Sequence, residues 1–351
     1  MDPSGQTSTL SSIAHGELNT MHRAITTCVL TLCAALALAA AGRGDEDLSK
    51  LKGEIKIDGS STVYPLSEAI TEDFSKQARG VRATVGVSGT GGGFKRFCKG
   101  EIDACNASRP ITRAEREACE KAGIEFIELP IAFDGLCIAV HPRNDWVKTL
   151  TVDQIRRIYA AKETARRWKD LDPSWPDRPI KVYSPGTDSG TFDYFREVTV
   201  GKDGTIRPDM SVSEDDNVLV KGVEGDIDAI GFFGFAYYKE NSKLLRAVAI
   251  DGGKGPVAPS DATILDGTYT PFSRPLFLYV SRKSAERPEV AGFVGFAIEH
   301  AAELAAEVGY TPLPSSTGST VARNWSARKT GTQFLDPAGE RVKGRLAEIY
   351  N

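Results

Sequence analysis

Three short stretches of the chain combine hydroxyl side chains with glycine: Gly59-Ser60-Ser61-Thr62, Ser88-Gly89-Thr90-Gly91-Gly92 and Thr187-Asp188-Ser189-Gly190-Thr191. Each follows a run that reads as a β-strand and opens a run that reads as a helix. The first turn of a helix offers N–H groups without intrahelical partners and a partial positive charge. Glycine lets the backbone approach a ligand closely, and Ser and Thr add donors without adding charge. One such loop is an ordinary N-cap. Three of them, if they converge, form a cage of donors around a tetrahedral oxyanion.

The elements that must position these loops alternate. The pattern predicts strands over 54–57, 81–87, 102–107, 124–131, 136–140, 181–183, 227–233, 246–250 and 276–280. It predicts helices over 65–77, 94–99, 112–122, 152–160, 191–200 and 289–308. In the first helix Pro65 stands in the opening turn, where proline is tolerated. Leu66, Ala69, Ile70 and Phe74 then recur on one face. Alternation of this kind predicts an α/β class with helices on both faces of its sheets. In such sheets ligands sit beyond the carboxyl ends of the strands.

Composition narrows the chemistry. The chain has 351 residues, room for about two domains, and 43 basic against 47 acidic residues gives a net charge of −4. An overall basic field is missing, so no nucleic-acid partner is expected. A buried anion site needs no basic surface, because dipoles and hydrogen bonds in a dry cleft suffice. Residues 24–41 carry no charge, end in Ala39-Ala40-Ala41 and are followed by Arg43, Asp45, Glu46 and Asp47. This is a secretory signal pattern. A run of that length just suffices to span a bilayer, so a retained anchor is the other reading. Met21 is a candidate start beside Met1.

Removal of that segment leaves Cys98, Cys105, Cys119 and Cys137, an even number in an exported chain. Cys98 and Cys119 flank a single strand–helix stretch and are the favoured pair, with Cys105–Cys137 as the second; free buried thiols are the alternative. His141 and His300 are the histidines that remain, and no zinc spacing occurs, so no metal and no cofactor are expected.

Four ordered stretches carry a resemblance: Asp58-Gly59-Ser60-Ser61-Thr62-Val63-Tyr64-Pro65, Gly86 to Phe94, Ala107-Ser108-Arg109-Pro110-Ile111, and Gly186 to Phe192. Together they resemble the phosphate-binding protein family of ABC transporters, the Pst type, from about residue 53 to the C-terminus. The resemblance implies a type II two-lobed periplasmic-binding-protein fold with two crossover hinge strands, near 134–140 and 274–281. Lobe 1 would combine 53–134 with 279–351, and lobe 2 would be 140–275, after an upstream segment and signal over 1–41. The ligand implied is inorganic phosphate, captured between the lobes by a monomer in the periplasm or another extracytoplasmic space. The partner implied is the membrane permease of the transporter.

Carried over by motif, Ser61, Thr62 and the N–H of Val63 would bind from the first loop. Ser88 or Thr90, with Gly91, would bind from the second, and Ser189, Gly190 and Thr191 from the third. The best-known members carry an Asp where this chain has Arg109, and an Arg where it has Pro185. The expectation is that Arg109 supplies the cation, bidentate to the anion, and Asp188 the acceptor. A carboxylate accepts the proton of phosphate and repels fully ionised sulfate. The alternative is that Arg109 pairs structurally with Asp188 or Asp134.

Other functions fit less well. A serine hydrolase or phosphatase would need Ser189 beside a base, yet the loop does not read G-x-S-x-G and only His141 and His300 remain to serve. Thr90 to Lys95 lacks the ending of a nucleotide-binding P-loop. The same fold with sulfate, molybdate or tungstate is the third alternative. No catalysed reaction is expected.

Overall fold

The computed structural model describes residues 47–187, 189–201, 204–213 and 215–351. The segment read as an export signal, both start candidates, and Asp188 lie outside the described residues.

The chain first lays down β1 (Gly53–Gly59), α1 (Tyr64–Gln77), β2 (Val81–Val87), α2 (Gly89–Phe97), β3 (Ala104–Ala107) and α3 (Arg113–Lys121). The 15-residue β4 (Phe126–Val140) leads on to β5 (Thr149–Thr151), α4 (Val152–Tyr159), β6 (Lys181–Pro185) and α5 (Gly190–Thr199). Then come β7 (Ser211–Ser213), α6 (Asp216–Glu224), β8 (Ala229–Gly234) and α7 (Phe235–Glu240). After β9 (Arg246–Ala247), β10 (Ala249–Asp251), β11 (Pro256–Val257) and α8 (Asp261–Leu265), the strand β12 (Ser273–Ser281) returns to the first group. Helices α9 (Pro288–Glu307), α10 (Ser315–Ser326) and α11 (Leu346–Ile349) follow. No helix among the described residues is long and apolar enough to cross a membrane.

The main sheet has the order β2-β1-β3-β12-β4-β8-β6-β7, with β9 also on β4. Pairing is parallel for β1 with β2 and β3, and for β6 with β7 and β8. It is antiparallel where β12 lies between β3 and β4. One strand serves both groups: Phe126–Gly135 of β4 pairs with β12, and Leu136–Val140 pairs with β8. Every residue of β4 is buried, as befits a strand covered on both faces. The architecture is α/β and two-lobed, with strands gathered on either side of β4.

Where pattern and structure differ, close packing is the reason. The break predicted between 131 and 136 is absent, and β4 runs straight through Gly135. A Cβ there would stand 2.6 Å from Ile264 Cδ1, so the glycine makes room for α8 instead of ending the strand. The second glycine-rich loop is itself the first turn of α2. Each helical glycine costs about 1 kcal/mol, but a Cβ on Gly93 would lie 2.7 Å from Gly59 Cα and 2.8 Å from Cys105 Sγ. The run 246–250 splits at Val248, so that β9 joins β4 while β10 joins β5 and β11 in a separate sheet.

Aromatic packing holds the layers together. Phe74 of α1 meets Phe293 and Phe296 of α9 edge-on, at centroid distances of 5.3 and 5.7 Å. Phe195 of α5 stacks on Phe232 of β8 at 3.9 Å. Each fully buried Phe contributes roughly 1.5–3 kcal/mol. The C-terminal stretch docks through Phe334, edge-on to Phe277 at 5.2 Å, and through Thr332 and Gln333, which donate to the buried Glu128 carboxylate.

Cys98 and Cys119 form the predicted disulfide. The second expected pair does not exist: Cys105 and Cys137 are free and buried. Cys105 lies opposite Tyr279, which lies opposite Glu128. Cys137 is nine residues on from Glu128, roughly 30 Å along the strand, whereas a disulfide needs Cα atoms within about 7 Å. Burial pushes both thiols well above their ordinary pKa.

Candidate functional site

The first and third hydroxyl-bearing loops meet. Gly190 opens α5 against the first loop so closely that a Cβ on it would stand 2.7 Å from Thr62 Cα. Thr62 Oγ1 donates to the Gly190 carbonyl at 3.4 Å, and Ser61 Oγ donates to Asp193 Oδ2 at 3.2 Å. Tyr310 Oη donates to the Thr62 carbonyl from behind. Ser61, Ser189, Gly190 and Thr191 line one cavity of about 410 Å³. Tyr64 and Pro65 of α1, Val87 at the end of β2, Asp216 and Tyr310 complete much of its wall.

Local chemistry sets what these turns can offer. At α5, Ser189 Oγ accepts from the Thr191 N–H at 3.2 Å, an ordinary N-cap. At α1 the capping position is Val63, which has no side chain able to cap. The Val63 and Tyr64 N–H groups close a tight turn on the Ser60 carbonyl, at 3.2 and 3.1 Å. The hydroxyls of Ser61 and Thr62 reach across to α5 instead, to the Asp193 carboxylate and the Gly190 carbonyl.

The second loop stands beside this cavity. Asp58, at the end of β1, is buried and accepts from the N–H groups of Gly59 (2.7 Å) and Ser88 (3.0 Å) while pairing with Arg96. That carboxylate fixes the turn into α2, where Gly89 takes a left-handed φ of 74°. Ser88 is exposed, makes no capping bond among the described residues, and lies over Gly92, where a Cβ would stand 2.9 Å from its Oγ. Thr90 Oγ1 lies 3.2 Å from Ser108 Oγ and accepts from the Ser108 N–H. Thr62, Val63, Ser88, Thr90, Gly91 and Arg109 are not among the residues lining the cavity; Thr62 stands directly behind Ser61 and against Gly190, which are. Its rim on this side is Val87.

The predicted cation is held elsewhere. Arg109 donates from Nη1 and Nη2 to the two Glu115 oxygens, each at 2.8 Å. Glu115 is also the capping-box residue of α3, accepting from the N–H and hydroxyl of Thr112. Burial opposes the charge on Glu115, but the Arg109 and Thr112 bonds outweigh it and hold the carboxyl below its ordinary pKa. Arg109 makes no pair with Asp134 among the described residues, and Asp188 lies outside them.

Asp134 is instead the partner of Arg274, directly opposite it in the β4–β12 register. Arg274 Nε donates to Asp134 Oδ2 at 3.3 Å, and Nη2 donates to Thr62 Oγ1 at 2.8 Å. Burial pushes the Asp134 carboxyl up, against the pull of Arg274. Sequence reasoning missed this arginine; the only available signal was an isolated charge at the start of an apolar strand. His141 and His300 do not line the cavity. His141 Nδ1 accepts from the Arg143 N–H, and His300 packs on Phe296. Among the described residues no cluster of three or more His, Cys, Asp or Glu side chains could hold a metal ion.

The chain is similar to known proteins along most of its length. The PBP superfamily domain matches residues 43–300. Protein SphX of Synechococcus elongatus is 46% identical over 306 residues, covering 86% of this chain and 89% of its own. The phosphate-binding protein PstS of Staphylococcus saprophyticus is 39% identical over 278 residues, covering 79% and 85%. A crystal structure described as a possible phosphate binding protein from Planctomyces limnophilus is 42% identical, with a TM-score of 0.78, over 80% of this chain and 100% of that one. With these matches along most of its length, the chain belongs to the PBP superfamily and, within it, to the Pst-type phosphate-binding proteins.

Proposed function

We propose that this chain is an extracytoplasmic receptor that captures inorganic phosphate between its lobes and delivers it to the permease of an ABC transporter. One observation carries the reading: hydroxyl-bearing turns 128 residues apart, at Thr62 and Gly190, are in contact and open on a single cavity. Ser61, Thr62, Ser189, Gly190 and Thr191 are the core of the proposed anion site, with Ser88, Thr90 and Gly91 closing on it from the Val87 rim. A carboxylate on the wall, Asp216, and Asp188, which precedes Ser189 in the sequence, favour a ligand that still carries a proton, which disfavours sulfate. The names of the relatives support phosphate as the anion.

Lobe 1 is assigned to 53–134 with 279–351, and lobe 2 to 140–275. β4 and β12 serve as the hinge strands, near 134–140 and 274–281. Closure is then a hinge motion about two strands. The chain acts as a monomer, exported by the segment at 24–41. It catalyses no reaction; its cargo leaves unchanged. The test is calorimetry of the purified mature chain with phosphate, sulfate and molybdate in parallel. Phosphate binding at least 100-fold tighter than either of the others is the expected result, and equal or absent phosphate binding overturns the proposal.

A further inference from the structure

Arg274 sits at the start of β12 with only 12% of its side chain exposed, and it is gripped from three directions. Behind it, Asp134 of β4 accepts from Nε at 3.3 Å. Beneath it, the Tyr194 ring of α5 lies 3.5 Å from Cζ, a stacking contact that fixes the plane of the guanidinium. Tyr194 is itself tethered by a hydrogen bond from its hydroxyl to the Pro271 carbonyl. The far edge of the guanidinium is held less firmly. Nη2 rests on a neutral hydroxyl, Thr62 Oγ1, at 2.8 Å. Among the described residues Nη1 makes no hydrogen bond, and it comes to 4.0 Å of Glu197 Oε2.

A buried guanidinium is costly unless its donors are used. Here the anchored edge faces a carboxylate and the other edge faces Thr62 of the first hydroxyl loop; Arg274 does not itself line the cavity and reaches its wall through that loop. A planar fork of this kind matches two oxygens of a tetrahedral anion, and charge-assisted bonds from it are short and strong. We propose that Arg274 is the cation of the anion site. Its Nη1 and Nη2 would grip the bound oxyanion beside Thr62, with Asp134 and Tyr194 as the positioning residues that aim the fork. The inference deepens the phosphate reading and rests on it.

The test compares the mature wild-type chain with Arg274→Gln and Arg274→Lys, titrating inorganic phosphate by calorimetry from pH 5.5 to 8.5. Arg274→Gln should weaken binding roughly 10- to 100-fold, the value of a lost charge-assisted bond. The loss should grow with pH as phosphate passes from monoanion to dianion. Arg274→Lys should recover part of the affinity and keep the wild-type pH slope. A residue that only braces the hinge would give a loss of the same factor at every pH. That result, or binding within threefold of wild type, overturns the inference. Should Arg274→Gln fail to fold by circular dichroism, the neutral variant Arg274→Met is read by the same criterion: a loss that grows with pH supports the inference, and a constant loss or unchanged affinity overturns it. Failure of the wild type to bind phosphate defeats the function itself, and this inference with it.

Discussion

Arg109 and Arg274 occupy two different kinds of corner. The carboxylate that holds Arg109 is six residues away, in the cap of the next helix. The carboxylate behind Arg274 is 140 residues away and the hydroxyl in front of it 212. A local pair forms wherever its helix forms, so the Arg109 charge is spent on building α3. The surroundings of Arg274 exist only once β12 has docked on β4 and α5 has met the first loop. One corner is a brace and the other a junction. Proximity to a motif does not make a charge functional; what matters is whether both arms of its fork are already bound to a carboxylate, as those of Arg109 are and those of Arg274 are not.

The brace should answer mainly in stability and the junction mainly in binding. The largest effect is expected at the disulfide that ties α2 to α3. The Cys98–Cys119 bridge closes a separation of 21 residues, and its loss should cost about 2–4 kcal/mol. Thermal melts of Cys119→Ser should show this with little change in phosphate affinity; a large affinity loss would dissolve the contrast.

Glu128 supports the same side of the molecule. It accepts from Tyr279 Oη, which in turn accepts from the Ile111 N–H beside the Arg109 turn. Burial, opposed by its hydrogen bonds, pushes its carboxyl from 4.5 up to about 7. The folded chain thus keeps a proton that the unfolded chain releases. The stability this group contributes is complete below pH 4.5 and is lost as pH rises through about 7. The difference is worth about 3 kcal/mol. In Glu128→Gln the fall in melting temperature over that window should flatten relative to wild type, and parallel curves would show that the carboxyl stays ionised.

At the junction, Gly190→Ala would place a methyl 2.7 Å from Thr62 Cα. Backbone must then give way, and phosphate affinity should drop about tenfold or more, near 1.4 kcal/mol, with the melting temperature little changed. Calorimetry beside a thermal melt separates the two. The smallest effect should come from Arg109→Gln: phosphate affinity within about threefold of wild type, below a typical hydrogen-bond contribution. A loss as large as that of Arg274→Gln would return the cation to Arg109 and reverse the comparison.

Much of this molecule was legible from its residues alone because the signals are local. Strand and helix periodicity and Pro65 in a first turn each depend on a handful of neighbours. The Cys98–Cys119 pairing lies within one supersecondary unit. The three hydroxyl–glycine loops were visible for the same reason, since each is a strand end followed by a helix start.

Tertiary structure alone decided the rest. Gly135 reads as a break and Gly93 as a loop until the side chains that need their space are seen. Cys105 and Cys137 look like partners until register places them far apart on the sheet. The meeting of Thr62 with Gly190, and of Arg274 with Asp134, likewise follows from which strands pair and in what register. A sequence states which groups can donate, accept or carry charge. Which of them are consumed by one another depends on distances of a few ångströms, and those are set by long-range packing.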